Sequence, residues 1–129
     1  MPDLVKQVVL TIPIPPSANA IWRAWRGRIL RSKRYEAWRW ECSLLLGRQP
    51  MVETPCSVEI VIYGGKGFTL AHDLDNLCKP TLDLLRLVRV IPEDSAKYVE
   101  LVQCRYVKPK RKGDVAACKV WVTTLEDGR

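Results

Sequence analysis

The sequence predicts an α/β (α+β) fold in which one mixed β-sheet carries two helices on one face. Four segments alternate apolar with polar residues, which is the period of a strand with one buried face. Two other segments repeat apolar residues every three or four positions, which is the spacing of an amphipathic helix. The predicted order is β-α-β-α-β-β, and a chain of 129 residues fits a single two-layer domain over residues 1–129.

The predicted strands cover residues 7–14, 58–63, 98–107 and 116–125. In the first of them, Val8, Leu10 and Ile12 share one face. Proline lacks the N–H that the interior of a sheet needs, so Pro13 places the end of this strand at a sheet edge. The polar, glycine-containing segment 108–114 predicts a hairpin loop between the last two strands.

Capping residues mark the ends of the two predicted helices. Ser32 is a good N-cap for a first helix that runs to about Arg48, and Gly47 supplies its stop. The second helix covers residues 76–88, and Pro80 is compatible only with its first turn. The predicted inner faces are Tyr35, Trp38, Cys42, Leu45 and Leu46 in the first helix, and Leu77, Cys78, Leu82, Leu84, Leu85 and Val88 in the second.

Charge is distributed unevenly along the chain. Lysine and arginine total 21 against 14 acidic residues, a net charge of +7 that favours a polyanionic partner. Basic residues concentrate in segments 23–39 and 108–112, and acidic residues between Asp73 and Glu100. A positive surface with a negative pocket is more typical of a nuclease than of a passive nucleic-acid binder. The predicted DNA-binding residues are Arg23, Arg26, Arg28, Lys33, Lys110 and Arg111.

Composition disfavours several other classes of protein. The five cysteines never form a Cys-x-x-Cys pair and are accompanied by one histidine, so a structural zinc site is not expected. We expect these thiols to be reduced and mostly buried. No apolar run approaches the roughly 18 residues that span a bilayer. The N-terminus lacks the pattern of a secretory signal, so we expect a cytoplasmic protein with no membrane partner and no organic cofactor.

Two acidic residues directly precede the second helix. Asp73 and Asp75 are two positions apart, and in an extended segment such side chains point the same way. Converging carboxylates repel each other unless they share a proton or bind a cation. If they bind a cation, their hard oxygen atoms select Mg²⁺ or Mn²⁺. Lys79 lies one turn into the helix, where an ammonium group contacts a phosphate or neutralises charge in the transition state. Asp83 continues the same stripe four residues later.

Simpler interpretations of this segment stay open. Asp75, Lys79 and Asp83 also have the i,i+4 spacing of surface ion pairs, which contribute about 0.3–0.5 kcal/mol each. Asp75 or Asn76 would equally serve as a helix N-cap. A lone histidine beside a motif is more often incidental than a general base, so we assign no role to His72.

A second acidic pair follows an apolar turn after this helix. If the chain folds back over the helix, Glu93 or Asp94 completes a carboxylate cluster with Asp73 and Asp75. Three carboxylates hold one or two divalent ions, which activate water and stabilise the leaving oxygen. By itself, the pair Glu93-Asp94 is more often a solvated turn.

The two acidic segments together form a recognisable motif. They read Asp-x-Asp-Asn-x-x-Lys-x-x-x-Asp, followed after nine residues by Glu-Asp-Ser. This pattern resembles the RusA family of Holliday-junction resolvases. The N-terminal segment Ile-Pro-Ile-Pro-Pro-Ser-Ala-Asn at residues 12–19 also resembles the opening strand and Pro-Pro-Ser-x-Asn turn of that family. The resemblance covers residues 8–122.

The resemblance implies a homodimer that resolves four-way DNA junctions by paired, symmetric nicks in the presence of Mg²⁺ or Mn²⁺. It implies that Asp73, Asp75 and Asp94 are the catalytic, metal-binding aspartates and that Lys79 is the essential lysine. Glu93 stands where aspartate is common in the family, which leaves its role as an additional metal ligand open.

The path of the DNA is less well defined by the sequence. The segment 68–72 lacks the basic cluster that some relatives carry there. Among the five tryptophans, Trp38 belongs to the core by its helical phase. Trp22 and Trp25 are interleaved with arginines and are better candidates for stacking on bases. Trp40 lies off the apolar face and is a candidate for a subunit interface.

These observations lead to one hypothesis and three rivals, the last of which is a basic interaction protein without nucleic-acid activity. The hypothesis is phosphodiester hydrolysis by metal-activated water in each subunit of a twofold dimer, acting in DNA recombination and repair. The first rival is a nuclease of the same architecture that cuts other branched DNA. The second is a non-catalytic nucleic-acid-binding module in which the acidic residues are structural.

Overall fold

The computed structural model describes residues 4–17, 22–70 and 73–125. The strands are β1 (Leu4–Val5), β2 (Gln7–Ile12), β3 (Trp22–Trp25), β4 (Arg28–Arg31), β5 (Met51–Val52), β6 (Cys56–Tyr63), β7 (Val99–Val107) and β8 (Ala117–Thr124). The helices are α1 (Lys33–Leu46) and α2 (Cys78–Leu87), and a short 3-10 helix (Leu74–Leu77) leads into α2. Strands β2, β8, β6 and β7 form a four-stranded sheet in that order, which confirms the predicted fold class.

The four-stranded sheet is mixed because β6 and β7 run parallel, whereas β8 runs antiparallel to β2 and β6. Parallel neighbours need a crossover connection, and α2 lies in the connection between β6 and β7. The predicted hairpin between the last two strands is wrong, because β6 lies between β7 and β8. The alternation of apolar and polar residues identifies a segment as a strand but does not predict which strand pairs with it. The segment 108–114 passes the end of β6 instead of forming a hairpin.

Helix α1 begins where Ser32 predicts, whereas α2 begins at Cys78, two residues after the predicted Asn76, because Leu74–Leu77 form a 3-10 helix. The Ser32 hydroxyl accepts a hydrogen bond from the N–H of Tyr35 at 3.1 Å, which caps α1. Gly47, with φ 60°, ends this helix and donates its N–H to the carbonyl of Ser43 at 2.9 Å. Pro80 is the third residue of α2 and therefore lies in the first turn, where a missing N–H removes no helical hydrogen bond.

The core lies between the helices and one face of the sheet. The strand residues that share this face are buried, namely Val8, Leu10, Ile12, Val58, Ile60, Ile62, Cys118, Val120 and Val122. The helix residues packed in the same cluster include Tyr35, Trp38, Cys42, Leu84 and Leu85. Leu45 is 66% exposed, so its predicted burial is wrong. A helix turns by about 100° per residue, so Leu46 continues the stripe of Cys42 while Leu45 lies at its edge.

Two small sheets are not predicted by the sequence pattern. Strands β3 and β4 form a hairpin around Arg26 and Gly27, whose φ angles of 48° and 74° are the two positive values of a type I′ turn. Arginine is an unusual residue at this position, and the two strands lack a clear apolar alternation. Strand β1 pairs with β5 over two residues only, which is too short to leave a periodic signal.

The cysteines behave as small apolar side chains. All five are free thiols, and Cys42, Cys56 and Cys118 are buried, which confirms the prediction. Burial raises the pKa of Cys42 to about 12 and that of Cys56 to about 11. Thiols with such pKa values are poor nucleophiles. Within the described ranges, no helix is long and apolar enough to cross a membrane.

Candidate active site

The proximal acidic residues lie at the entry to α2. Asp73 has an extended backbone (φ −82°, ψ 126°) and directly precedes the 3-10 helix, in which Asp75 is the second residue. Both residues are exposed. The side chain of Asp73 forms no capping hydrogen bond, and the residue at the N-cap of α2 is Leu77. The alternative interpretation of Asp75 or Asn76 as a helix N-cap is therefore wrong.

Lys79 connects the two acidic segments. Its Nζ lies 3.2 Å from Oδ2 of Asp94 and 3.2 Å from Oδ1 of Asp83, so one ammonium group bridges two carboxylates. The contact between Lys79 and Asp94 confirms that the chain folds back over the helix. Of the two i,i+4 ion pairs that the spacing allows, Lys79–Asp83 is present, and Asp75 forms none with any described residue.

Apolar residues after α2 bring Asp94 to Lys79. Three residues of this short segment are at most 3% exposed, namely Val88, Val90 and Ile91. The N–H of Val90 donates to the carbonyl of Leu85 at 2.9 Å, and Arg89 reverses the chain with a φ of 73°. Burial of these side chains therefore holds the segment against the end of α2 and positions the acidic pair beside the helix.

The environment of Lys79 keeps its ammonium group charged. Partial burial acts to lower the pKa of this lysine. The hydrogen bonds and negative charges of Asp83 and Asp94 outweigh that effect, and the pKa is raised above its usual 10.5. A lysine that stays protonated is suited to stabilising negative charge and not to acting as a base.

Tyr35 supports this arrangement from the opposite helix. Its hydroxyl donates a hydrogen bond to Oδ2 of Asp83 at 3.2 Å, and its side chain is 1% exposed. Burial, followed by the negative charge of Asp83, raises the pKa of Tyr35 to about 12. A continuous polar chain thus runs from Tyr35 through Asp83 and Lys79 to Asp94. The i,i+4 spacing from Lys79 identified Asp83 as a possible partner of the lysine. The helical phase of Tyr35 predicted only that this residue belongs to the core, so its contact with Asp83 was not predicted.

Asp75 lies in the 3-10 helix, which contacts β7. Burial raises the pKa of Cys104, on β7, to about 12, with further contributions from the neighbouring thiol of Cys78 and from the charge of Asp75. Burial also raises the pKa of Cys78, and the charge of Asp75 adds to that rise. The two thiols therefore stay protonated beside the carboxylate of Asp75.

The sequence matches the family described as Endodeoxyribonuclease RusA over residues 13–122. The chain belongs to the RusA family. This match spans most of the chain and includes every residue of the site described above, so the resemblance expected from the motif is confirmed. The family assignment places the protein among nucleases that cut within DNA. No curated protein matches the chain.

The acidic residues of the RusA motif have the chemistry of a magnesium site. Carboxylate oxygens are the ligands that Mg²⁺ prefers, and Asp73, Asp75 and Asp94 supply them. Among the described residues, however, no three histidine, cysteine, aspartate or glutamate side chains stand close enough together to hold a metal ion. Asp94 is held by Lys79 instead, and Glu93 is exposed. These carboxylates have the chemistry to bind a divalent cation, but binding one would require them to move closer together and Asp94 to leave Lys79.

The predicted DNA-binding residues lie on the hairpin, at the start of α1 and in the β7–β8 connection. Those with described side chains are all exposed, namely Arg26, Arg28, Lys33, Lys110 and Arg111. The side chains of Trp22, Arg23 and Trp25, and the whole of His72, lie outside the described part of the chain. Exposure permits contact with DNA, and the contact itself stays a prediction.

The two helical tryptophans differ in environment, as their helical phases predict. Trp38 is 7% exposed, and its Nε1 donates a hydrogen bond to the carbonyl of Pro13 at 3.0 Å, so its place in the core is confirmed. Trp40 is 68% exposed and leaves a large aromatic surface in solvent. The indole of Trp38 also ties α1 to the chain immediately after β2.

A basic cleft adjoins Lys79 on the side of α1. It has a volume of about 440 Å³ and is lined by Arg31, Arg39, Lys79, Asp83, Arg86, Leu87 and Pro92. Arg31 and Arg39 belong to the basic segment 23–39 but were not among the predicted DNA-binding residues. Arg86 was not predicted to have any role. The spacing of these arginines in the sequence does not predict that they lie together, because the cleft is formed by β4, α1, α2 and the turn after α2.

Replacing Asp83 with asparagine is expected to lower DNA cleavage by about tenfold, because Lys79 then has one carboxylate left to orient it. The pKa of Tyr35 is expected to fall from about 12, since the charge of Asp83 contributes to its rise, but to stay above 10.0 because burial persists. Single-turnover cleavage and NMR titration of ring-labelled tyrosine measure the two effects. Tyr35→Phe is the matched variant that removes only the hydrogen bond, and an unchanged Tyr35 pKa in Asp83→Asn would contradict the assigned contact.

Proposed function

We propose that this protein is a metal-dependent endonuclease that resolves four-way DNA junctions by paired, symmetric nicks in DNA recombination and repair. The observation that carries the proposal is the contact between Lys79 and Asp94, which joins the two halves of the RusA motif at 3.2 Å. Membership of an endodeoxyribonuclease family supports the reaction class. The net charge of +7 supports a polyanionic substrate.

Each residue of the motif has a role in this proposal. Asp73, Asp75 and Asp94 would hold Mg²⁺ or Mn²⁺, with Glu93 assisting, and the bound ion would supply activation of water and stabilisation of negative charge. Lys79 donates hydrogen bonds to a non-bridging oxygen of the scissile phosphate. Its raised pKa keeps it protonated for that role throughout the neutral range. Asp83 and Tyr35 orient it.

A twofold homodimer accounts for paired cutting, since a four-way junction offers two equivalent strands and an isologous dimer presents two identical sites. The exposed indole of Trp40 is a candidate for that subunit interface. The five free thiols are consistent with action in the reducing cytoplasm.

The proposal is tested by comparing three DNA substrates of equal length: a four-way junction, a flapped duplex and a linear duplex. We expect the junction to be cut on opposite strands at symmetric positions in Mg²⁺ or Mn²⁺, and cutting to stop with EDTA. Preferential cutting of the flap would instead support a nuclease for other branched DNA. Binding of the junction without any cutting at any metal concentration would support a non-catalytic module.

A further inference from the structure

The cleft beside Lys79 has the features of a built anion site. Four of its seven lining residues carry positive charge, namely Arg31, Arg39, Lys79 and Arg86, and one, Asp83, carries negative charge. The volume of about 440 Å³ lies within the range of about 300–1,000 Å³ typical of ligand sites. The carboxylate of Asp83 is offset by Lys79 at 3.2 Å and by the hydroxyl of Tyr35, so it opposes an incoming anion weakly.

The arginine side chains of the cleft have N–H donors available for an anion. Glu36 lies 3.5 Å from Nη1 of Arg31 and 3.6 Å from Nη1 of Arg39, so two guanidinium groups share one carboxylate. The Nε of Arg39 is buried and has no hydrogen-bond partner among the described residues. Arg86 is exposed and forms no ion pair with any described residue. Buried N–H donors are normally paired with an acceptor, so this side of the cleft has more donors than the described residues supply acceptors for.

Arginine forks match the oxygen atoms of a phosphate, which accepts two parallel hydrogen bonds from one guanidinium group. Leu87 and Pro92 add a small apolar wall, which suits the sugar that alternates with phosphate along a DNA strand. Lys79 belongs both to this cleft and to the acidic site, where it holds Asp94. A strand whose scissile phosphate lies at Lys79 would therefore place a neighbouring phosphate in the cleft.

We infer that the cleft between α1 and α2 binds a DNA backbone phosphate next to the scissile one, through Arg31, Arg39 and Arg86. This inference rests on the proposed function and adds the course of the cleaved strand, which runs past Lys79 and into the space between the two helices. The contact is made equally in the ground state and the transition state. Its loss therefore weakens binding and leaves the chemical step intact.

The test compares Arg86→Gln with Arg105→Gln, which removes an equal charge from the sheet face that points away from the helices. Affinity for the four-way junction is measured in EDTA at several salt concentrations. Arg86→Gln is expected to weaken binding by about tenfold and to reduce the slope of log affinity against log salt by about one. It is expected to raise KM and leave kcat unchanged in Mg²⁺. Arg105→Gln is expected to match the wild type in all of these.

A second variant, Arg39→Lys, keeps the charge of the cleft but removes the planar fork. It is expected to lose several-fold in affinity with an unchanged salt slope. Equal affinity and salt slope for wild type, Arg86→Gln and Arg39→Lys would overturn the inference, as would a fall in kcat at unchanged KM. Wild-type protein that binds but never cuts the junction would instead overturn the proposed function, and the binding comparison would still decide whether phosphate occupies the cleft.

Discussion

Replacing Asp75 with asparagine is expected to lower the rate of junction cleavage by about 10³-fold. Metal ligation and charge stabilisation contribute several kcal/mol to phosphodiester cleavage, and each 1.36 kcal/mol corresponds to tenfold in rate. Asparagine keeps the size of the side chain and one oxygen, and Asp75 is exposed, so the 3-10 helix that carries it is expected to fold normally. Because a negative charge near the DNA phosphates is removed, binding of the uncut junction is expected to stay equal or become tighter.

The effect of Asp75→Asn is measured by single-turnover cleavage and by junction binding in EDTA. Glu41→Gln is the matched control, since Glu41 is an exposed carboxylate on α1 outside the site. It is expected to cut at the wild-type rate. Cleavage by Asp75→Asn at the wild-type rate would show that this carboxylate takes no part in the reaction and would remove the catalytic assignment of the motif.

Replacing Lys79 with glutamine is expected to lower cleavage by about 10²–10³-fold, which is typical of losing one group that stabilises transition-state charge. The structure adds a second expectation. Lys79 now holds Asp94 at 3.2 Å, so its removal leaves that carboxylate without its cation. A divalent ion no longer competes with an ammonium group, and the affinity of the protein for Mn²⁺ is expected to rise while activity falls.

Mn²⁺ affinity, followed by electron paramagnetic resonance, separates two roles for Lys79. Lys97→Gln serves as the control, because Lys97 is exposed three residues beyond Asp94 and carries the same charge. If Mn²⁺ affinity and activity fell together in Lys79→Gln, the lysine would be organising the carboxylates and not acting on the phosphate. Lys79→Arg keeps the charge and is expected to retain more activity than Lys79→Gln.

The helices show how far local chemistry determines structure. Ser32 and Gly47 bound α1 because a hydroxyl at the N-cap and a positive φ at the C-cap act on the nearest backbone groups. Pro80 limits the start of α2 for an equally local reason. The exposure of Leu45 was not predictable to the same accuracy, because it depends on where the apolar stripe of α1 meets the sheet.

The candidate site divides in the same way. The spacing of Asp73, Asp75 and Lys79 is a property of the sequence, and so is the RusA motif to which it belongs. The 3.2 Å contact between Lys79 and Asp94 requires burial of the apolar residues after α2, which only packing against the core supplies. The convergence of three carboxylates on one ion stays a prediction, since no three such side chains of the described residues stand close enough together to hold a metal ion.

By itself, the sequence determined that four segments are strands and two are helices, and that the chain carries the acidic and basic residues of a nuclease. These properties depend on residues a few positions apart and can therefore be predicted from the sequence alone. Only the tertiary structure decided that β6 separates β7 from β8, that Tyr35 supports Asp83, and that Arg31, Arg39 and Arg86 share a cleft. Such groupings arise from strand pairing and helix packing between segments that are distant in the sequence. Burial of the core stabilises them, and the pattern of neighbouring residues does not predict which distant segments will pack together.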